Sequence, residues 1–246
     1  MEVKIIEADA ARELLAVYNG ILTDILTAQQ ALVLEKTIGT NADAINATRY
    51  GNLFWTFQTI LIRDATLAVY RLFDPVKAYP LRNVPAGLSV LTRFDNLPIK
   101  ERTSAEKRLT KFLGPEVALA GLSDTEITAL IIKTFHEQLP TSKSSPLWNA
   151  WENLKWRRDK ILAHPEAVDR TTIPPVTYAE LHGLIDYAKH FVGIIGPAYL
   201  SSFPHFMIGE DDRPGDTAIL GRALHHLFED AGVLPKTVLK LSGGVP

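Results

Sequence analysis

Segment after segment of this chain repeats apolar residues at the three-and-four spacing that lines one face of a helix, and polarity nowhere alternates long enough to make a sheet strand. From about Ala8 to Lys36 the stripe is Leu14, Tyr18, Ile21, Ile25, Ala28 and Leu32, widened by Leu15, Leu22, Leu26 and Val33. From Ala44 to Phe73 it is Phe54, Phe57, Leu61, Ala65, Ala68 and Leu72, and Asp74-Pro75 stops it. Thr103 with Glu106 and Ser123 with Glu126 have the spacing of capping boxes, in which two side chains satisfy free amides of a first helical turn. The first of these helices ends at Gly114-Pro115, and the second turns Ile127, Leu130, Ile131, Thr134 and Phe135 inward. Ser145-Pro146 opens the next helix, Tyr178 to Ile195 forms another, and a last one is predicted from about Thr217 to Ala231. The expectation is an all-α, antiparallel helical bundle with an additional C-terminal helix, in a single domain over residues 1–246.

The 246 residues are 46% apolar, enough for one good-sized core, and no long polar linker divides them. A net charge of −2 gives no global attraction to nucleic acid, so phosphate binding requires a local basic cluster. Cysteine is absent, which excludes disulfides, thiolate metal sites and a cysteine nucleophile. The start of the chain lacks a basic region followed by an apolar one, and no apolar run reaches membrane-spanning length. A soluble, cytoplasmic protein is expected.

One run does not fit an ordinary buried helix. Trp156 to Glu166, WRRDKILAHPE, places Arg158 on the apolar stripe of Leu147, Trp151, Leu154 and Ile161. A guanidinium keeps its charge and is costly to bury unpaired, so Arg158 must find an acceptor or face a cavity that an anion can enter. Asp64 is the candidate acceptor. The far side of its helix carries Thr56, Thr59, Arg63, Thr66 and Tyr70, which is either a solvated face or one wall of a pocket that Arg158 faces. A neighbouring stripe, Asn153, Arg157, Lys160 and His164, is polar throughout, and Pro165 ends the helix at His164. Histidine titrates closest to neutral pH and is the natural general acid or base. The bland alternative is that basic residues in a last turn simply complement the helix dipole.

Arg158, the polar Asp159 after it and His164 closing the run resemble the arginine-polar-histidine signature of the HEPN superfamily. A second stretch, LIRDATLAVYRLFDP from Leu61 to Pro75, is similar to the long second helix of the abortive-infection, AbiU-like branch. That branch follows the helix with an Asn-Leu-Ser turn; here Pro85, Ala86 and Gly87 intervene between Asn83 and Leu88-Ser89. The resemblance covers roughly residues 10–200 and leaves 201–246 as a C-terminal extension. It implies a compact helical fold and a metal-independent endoribonuclease that cuts RNA through its own 2′-hydroxyl, acting as a toxin or in defence against phage.

In that reading Arg158 and His164 carry the chemistry and Asp159 orients one of them. Arg157 and Lys160 hold flanking phosphates, with Arg63 and Asp64 on the pocket wall. Arg82, Asn83 and Arg93, on the long connection 75–100, either contact phosphate or are surface charge. HEPN sites generally sit between two copies, so a homodimer is implied as well. Some relatives pair with an antitoxin that modifies a tyrosine two residues after the histidine; Glu166 occupies that position here and disfavours this variant, though an antitoxin stays among the implied partners. No cofactor or metal is expected: His225, His226 and Glu229 match no established ligand pattern. Two rival readings remain open, a non-catalytic module that binds a nucleotide or a protein, and a metal enzyme using the C-terminal histidines.

Overall fold

The structure, a computed structural model, describes residues 2–74, 82–159, 176–202 and 216–235. Within them every regular element is helical: α1 Glu2–Thr40, α2 Ala42–Asn46, α3 Gly51–Arg71, α4 Val84–Arg93, α5 Arg102–Leu113, α6 Asp124–Glu137, α7 Trp148–Arg157, α8 Tyr178–Ile195 and α9 Asp216–Asp230. A π-helical turn, Gly196–Leu200, continues α8.

The long α1 is the spine, about 58 Å from end to end at the usual helical rise, and α3, α4, α8 and α9 pack along it. Its predicted stripe, Leu14 through Leu32, is buried throughout. Leu15, on the flank of the stripe, is not: 45% of it is exposed. The helix α3 runs antiparallel to α1, since Asp24 meets Arg71 at 2.6 Å while Glu35, later on α1, meets Gln58, earlier on α3.

The predicted second helix is two pieces, α2 and α3, separated by a turn at residues 47–50. Its buried face also shifts along its length. Phe57 is 42% exposed, while Thr66 and Tyr70, assigned to the far side, are buried. The N-terminal half of α3 lies against α1 and, through Phe54 and Phe228, α9; the C-terminal half is also covered by α7 and α8. More neighbours there bury a wider arc, which apolar spacing alone does not reveal.

Of the two predicted capping boxes, Ser123 with Glu126 forms in full. Thr103 with Glu106 does not: α5 starts two residues earlier, after Glu101, and Glu106 is taken by Arg102 at 2.7 Å. A box that sequence reading passed over, Thr177 with Glu180, opens α8.

Aromatic rings knit the core. Phe112 stacks on Phe135 at 4.6 Å, Phe135 meets Tyr187 at 5.4 Å, Tyr187 meets Phe73 at 5.8 Å, and Phe73 meets Trp151 at 6.0 Å. This chain of rings joins α5, α6 and α8 to the end of α3 and to α7. The Tyr187 hydroxyl donates to the Phe135 carbonyl, one of the α6 C-terminal acceptors that the helix itself leaves without a partner. Burial pushes that hydroxyl far above its ordinary pKa, so it stays a donor. Close packing is also built into α4, where a Cβ on Gly87 would lie 2.7 Å from the Phe191 ring.

Two outcomes are expected of this core. Tyr187→Phe keeps the ring and orphans the Phe135 carbonyl, lowering stability by about 1–2 kcal/mol in chemical denaturation. Gly87→Val drives a branched side chain into the buried Phe191 and costs about 1–3 kcal/mol; an unchanged midpoint refutes the contact.

Candidate functional site

Helix α7 carries the motif. Its inward face places Ala150, Trp151 and Leu154 in the core, and Ser145 caps the approach by accepting from the Leu147 amide and donating to the Gln138 carbonyl. Trp151 stacks on Tyr70 of α3 with centroids 4.9 Å apart and planes at 18°. Arg158 follows seven residues later, two turns along the same face, and its guanidinium carbon sits 3.9 Å from the centroid of the same Tyr70 ring. One phenol therefore takes an indole and a guanidinium, and the stack continues the aromatic chain of the core outward to a charge. A guanidinium over an aromatic face gains about 0.5–2 kcal/mol, most where water is thinned out.

The charge is answered by its neighbour. The Arg158 Nη1 donates to Asp159 Oδ1 at 2.8 Å, with 24% of the arginine side chain and 36% of the aspartate side chain exposed. The Arg158 Nε is buried and has no hydrogen-bond partner among the described residues. Burial raises the pKa of the Tyr70 hydroxyl, and the Arg158 charge opposes that shift. Residues 158 and 159 lie in a widened π turn rather than a regular α turn, a feature that recurs where helices serve a function. The arrangement holds a fixed, partly open cation at the surface end of a rigid stack.

Asp64 is not the acceptor. It pairs instead with its neighbour Arg63 at 3.5 Å, both side chains about half exposed, a contact that contributes little to stability. The polar strip of α3 thus divides: Arg63 faces solvent, Thr66 turns its hydroxyl back to the Ile62 carbonyl, and Tyr70 alone meets Arg158. Arg157 is half-buried and has no ion pair among the described residues. Lys160, Ile161 and His164 lie outside the described residues.

On the connection before α4, Asn83 proves structural. It is buried, accepts from the Ala86 amide at 3.0 Å as the cap of α4, and donates to the Asp74 carbonyl at 2.9 Å. Arg93 pairs with Glu13, and Arg82 is exposed. Among the described residues no cluster of three or more histidine, aspartate or glutamate side chains is placed to hold a metal. No helix among them is long and apolar enough to cross a membrane.

Sequence reading offered Tyr70 as part of the wall that Arg158 faces, and did not single it out as the stacking platform. The signal was the seven-residue interval between Trp151 and Arg158, which puts a flat apolar group and a flat cation on one face and asks for a ring between the two turns.

The family model described as AbiU2, of the HEPN class, matches residues 39–213, from the end of α1 past α8. No curated protein and no solved structure matches the chain. With well over half of its length matched, and with the Arg158 motif inside the matched span, the chain belongs to the AbiU2 family of HEPN proteins.

Proposed function

We propose that this protein is a metal-independent endoribonuclease of the HEPN type, acting as a toxin in abortive infection. The observation that carries the reading is the fixed Arg158 guanidinium: stacked on Tyr70, tied at one edge by Asp159, and still partly open. A cation so placed suits a phosphate whose negative charge grows during reaction, because it need not reorganise as that charge develops. Lysine in its place would keep the charge and lose the flat stack and the fork.

In this reading His164 takes the proton from a 2′-hydroxyl, whose oxygen then attacks the adjacent phosphorus. The 5′-oxygen leaves and receives a proton, and the strand ends in a 2′,3′-cyclic phosphate. Arg158 stabilises the phosphorane, Asp159 holds Arg158 in place, and Arg157 and Lys160 bind the flanking phosphates. Arg63 and Asp64, turned to solvent, would serve only as outlying contacts to RNA. A site of this kind draws an arginine and a histidine from each of two copies, so the active species is a homodimer. The exposed apolar side chains Leu53, Phe57 and Ile60, which share one face of α3, support association.

The test is incubation with structured RNA in excess chelator. Wild type should cleave and leave cyclic phosphate ends, while His164→Ala should lose about 10²–10⁴ of the rate. Arg158→Lys should lose at least about 10². Binding without cleavage in wild type would replace the enzyme by a non-catalytic HEPN-like binding module. Sedimentation at micromolar concentration should show a dimer; a monomer throughout would sink the composite site.

A further inference from the structure

A second cationic locus lies at the other end of α3, where α9 crosses the end of α1. Gly221 lets the two helices approach closely, since a Cβ there would lie 2.9 Å from Val33 and 3.3 Å from the Thr37 hydroxyl. The crossing leaves a groove of about 510 Å³ lined by Lys36, Thr40 and Asn41 from α1 and its end and by Arg222, His225 and His226 from α9, within the size range of small-molecule sites. Arg222 stands three residues before His225 and four before His226, so each ring neighbours it on the surface of α9.

The usual reason for cations beside a helix C-terminus is its unpaired carbonyls. That reason is partly removed here. Thr40 donates to the Lys36 carbonyl at 2.8 Å, the Asn41 side chain donates to the Thr37 carbonyl at 2.7 Å, and the Asn41 amide donates to the Ile38 carbonyl. Neither Lys36 nor Arg222 has a carboxylate partner among the described residues, so two permanent cations face one groove unneutralised. Among the described residues the acidic group at the histidines is Glu229, nearly buried, which orients His226 by a hydrogen bond and lies near His225. His226 Nδ1 lies 2.9 Å from Oε2, and His225 Nε2 lies 3.9 Å from Oε1. Among the described residues no other hydrogen bond to either ring is found.

We propose that this groove is a phosphate-binding site, with Lys36 and Arg222 supplying charge and the rings of His225 and His226 supplying N–H donors. The chemistry recognised is a cluster of phosphoryl oxygens, carried either by a free phosphoanion or by the backbone of a nucleic acid strand. The proposal stands on the groove alone and does not require Arg158 or His164 to be catalytic.

The test is calorimetric titration of the full chain with two probes, inorganic pyrophosphate and a 2′-O-methyl RNA hexamer without terminal phosphates, which resists cleavage through the 2′-oxygen. At least one should bind with a dissociation constant below about 1 mM, and the double variant Lys36→Ala/Arg222→Ala should weaken it by at least about tenfold. Loss confined to pyrophosphate assigns a free phosphoanion; loss for the hexamer assigns a strand. In wild type, independently of any variant, pyrophosphate or the hexamer should shift the ring nitrogen resonances of His225 and His226 and leave those of His136 and His182 in place. If neither probe binds, if the double variant binds both as wild type does, or if the His225 and His226 signals stay still at saturation, the proposal is overturned.

Discussion

The Tyr70 ring holding the Arg158 guanidinium is the constraint to which the rest of the structure is fitted. A permanent charge has been brought against the core, and three things offset the cost of thinning its water: the face of the phenol, the Asp159 carboxylate and the exposure that remains. None of these works unless α7 is fixed in rotation about its axis. Trp151 fixes it, lodged against Tyr70 on one side and Phe73 on the other. Phe73 in turn meets Tyr187, which reaches Phe135 and Phe112. The orientation of one cation is therefore set by packing that extends across α3, α5, α6, α7 and α8, and rotamer freedom that would blur a surface arginine is largely removed.

The same α3 that presents Tyr70 at one end presents Phe54 at the other, sixteen residues and about 24 Å away along the axis, where Phe228 of α9 closes over it at 5.1 Å. The helix is a beam with a cationic locus near each end, in a chain whose overall charge is slightly negative. With no net positive charge to draw a polyanion to the whole surface, any attraction of an anion has to come from local clusters such as these.

Much of the fold could be read from residue spacing because helices advertise their buried faces. The α1 stripe, the Ser123 cap and the bounds of α8 follow from periodicity and local hydrogen-bonding chemistry. What spacing cannot show is how many neighbours cover a helix. Phe57 and Tyr70 sit on one α3 whose surroundings change along its length, so the aromatic expected inside is half outside and the one expected outside is buried. The Thr103 box failed for a related reason: Glu106 had a better partner in Arg102, whose guanidinium also reaches Asp124 of α6 at 3.2 Å, a long-range contact invisible in a local motif. The oddness of Arg158 was legible, and its partner was not. Charge complementarity pointed to Asp64, whereas an aromatic face and an adjacent carboxylate satisfied the guanidinium at closer range.

The unsatisfied Nε sharpens what Arg158 says about purpose. An interior built for stability alone would place leucine or methionine on that stripe, gaining apolar contact and sparing a buried N–H that lacks an acceptor among the described residues, a defect that costs about 1–3 kcal/mol. Dipole complementation does not account for the choice either, since the exposed Lys155 already places positive charge in the last turn of α7. Stability and helix termination are thus served by other residues, and the stacked, partly open guanidinium is an added cost. Such a cost is reasonable where a fixed cation must meet something the folded chain does not itself contain, and the two features that lower it, the phenol face and Asp159, both also fix where that meeting takes place.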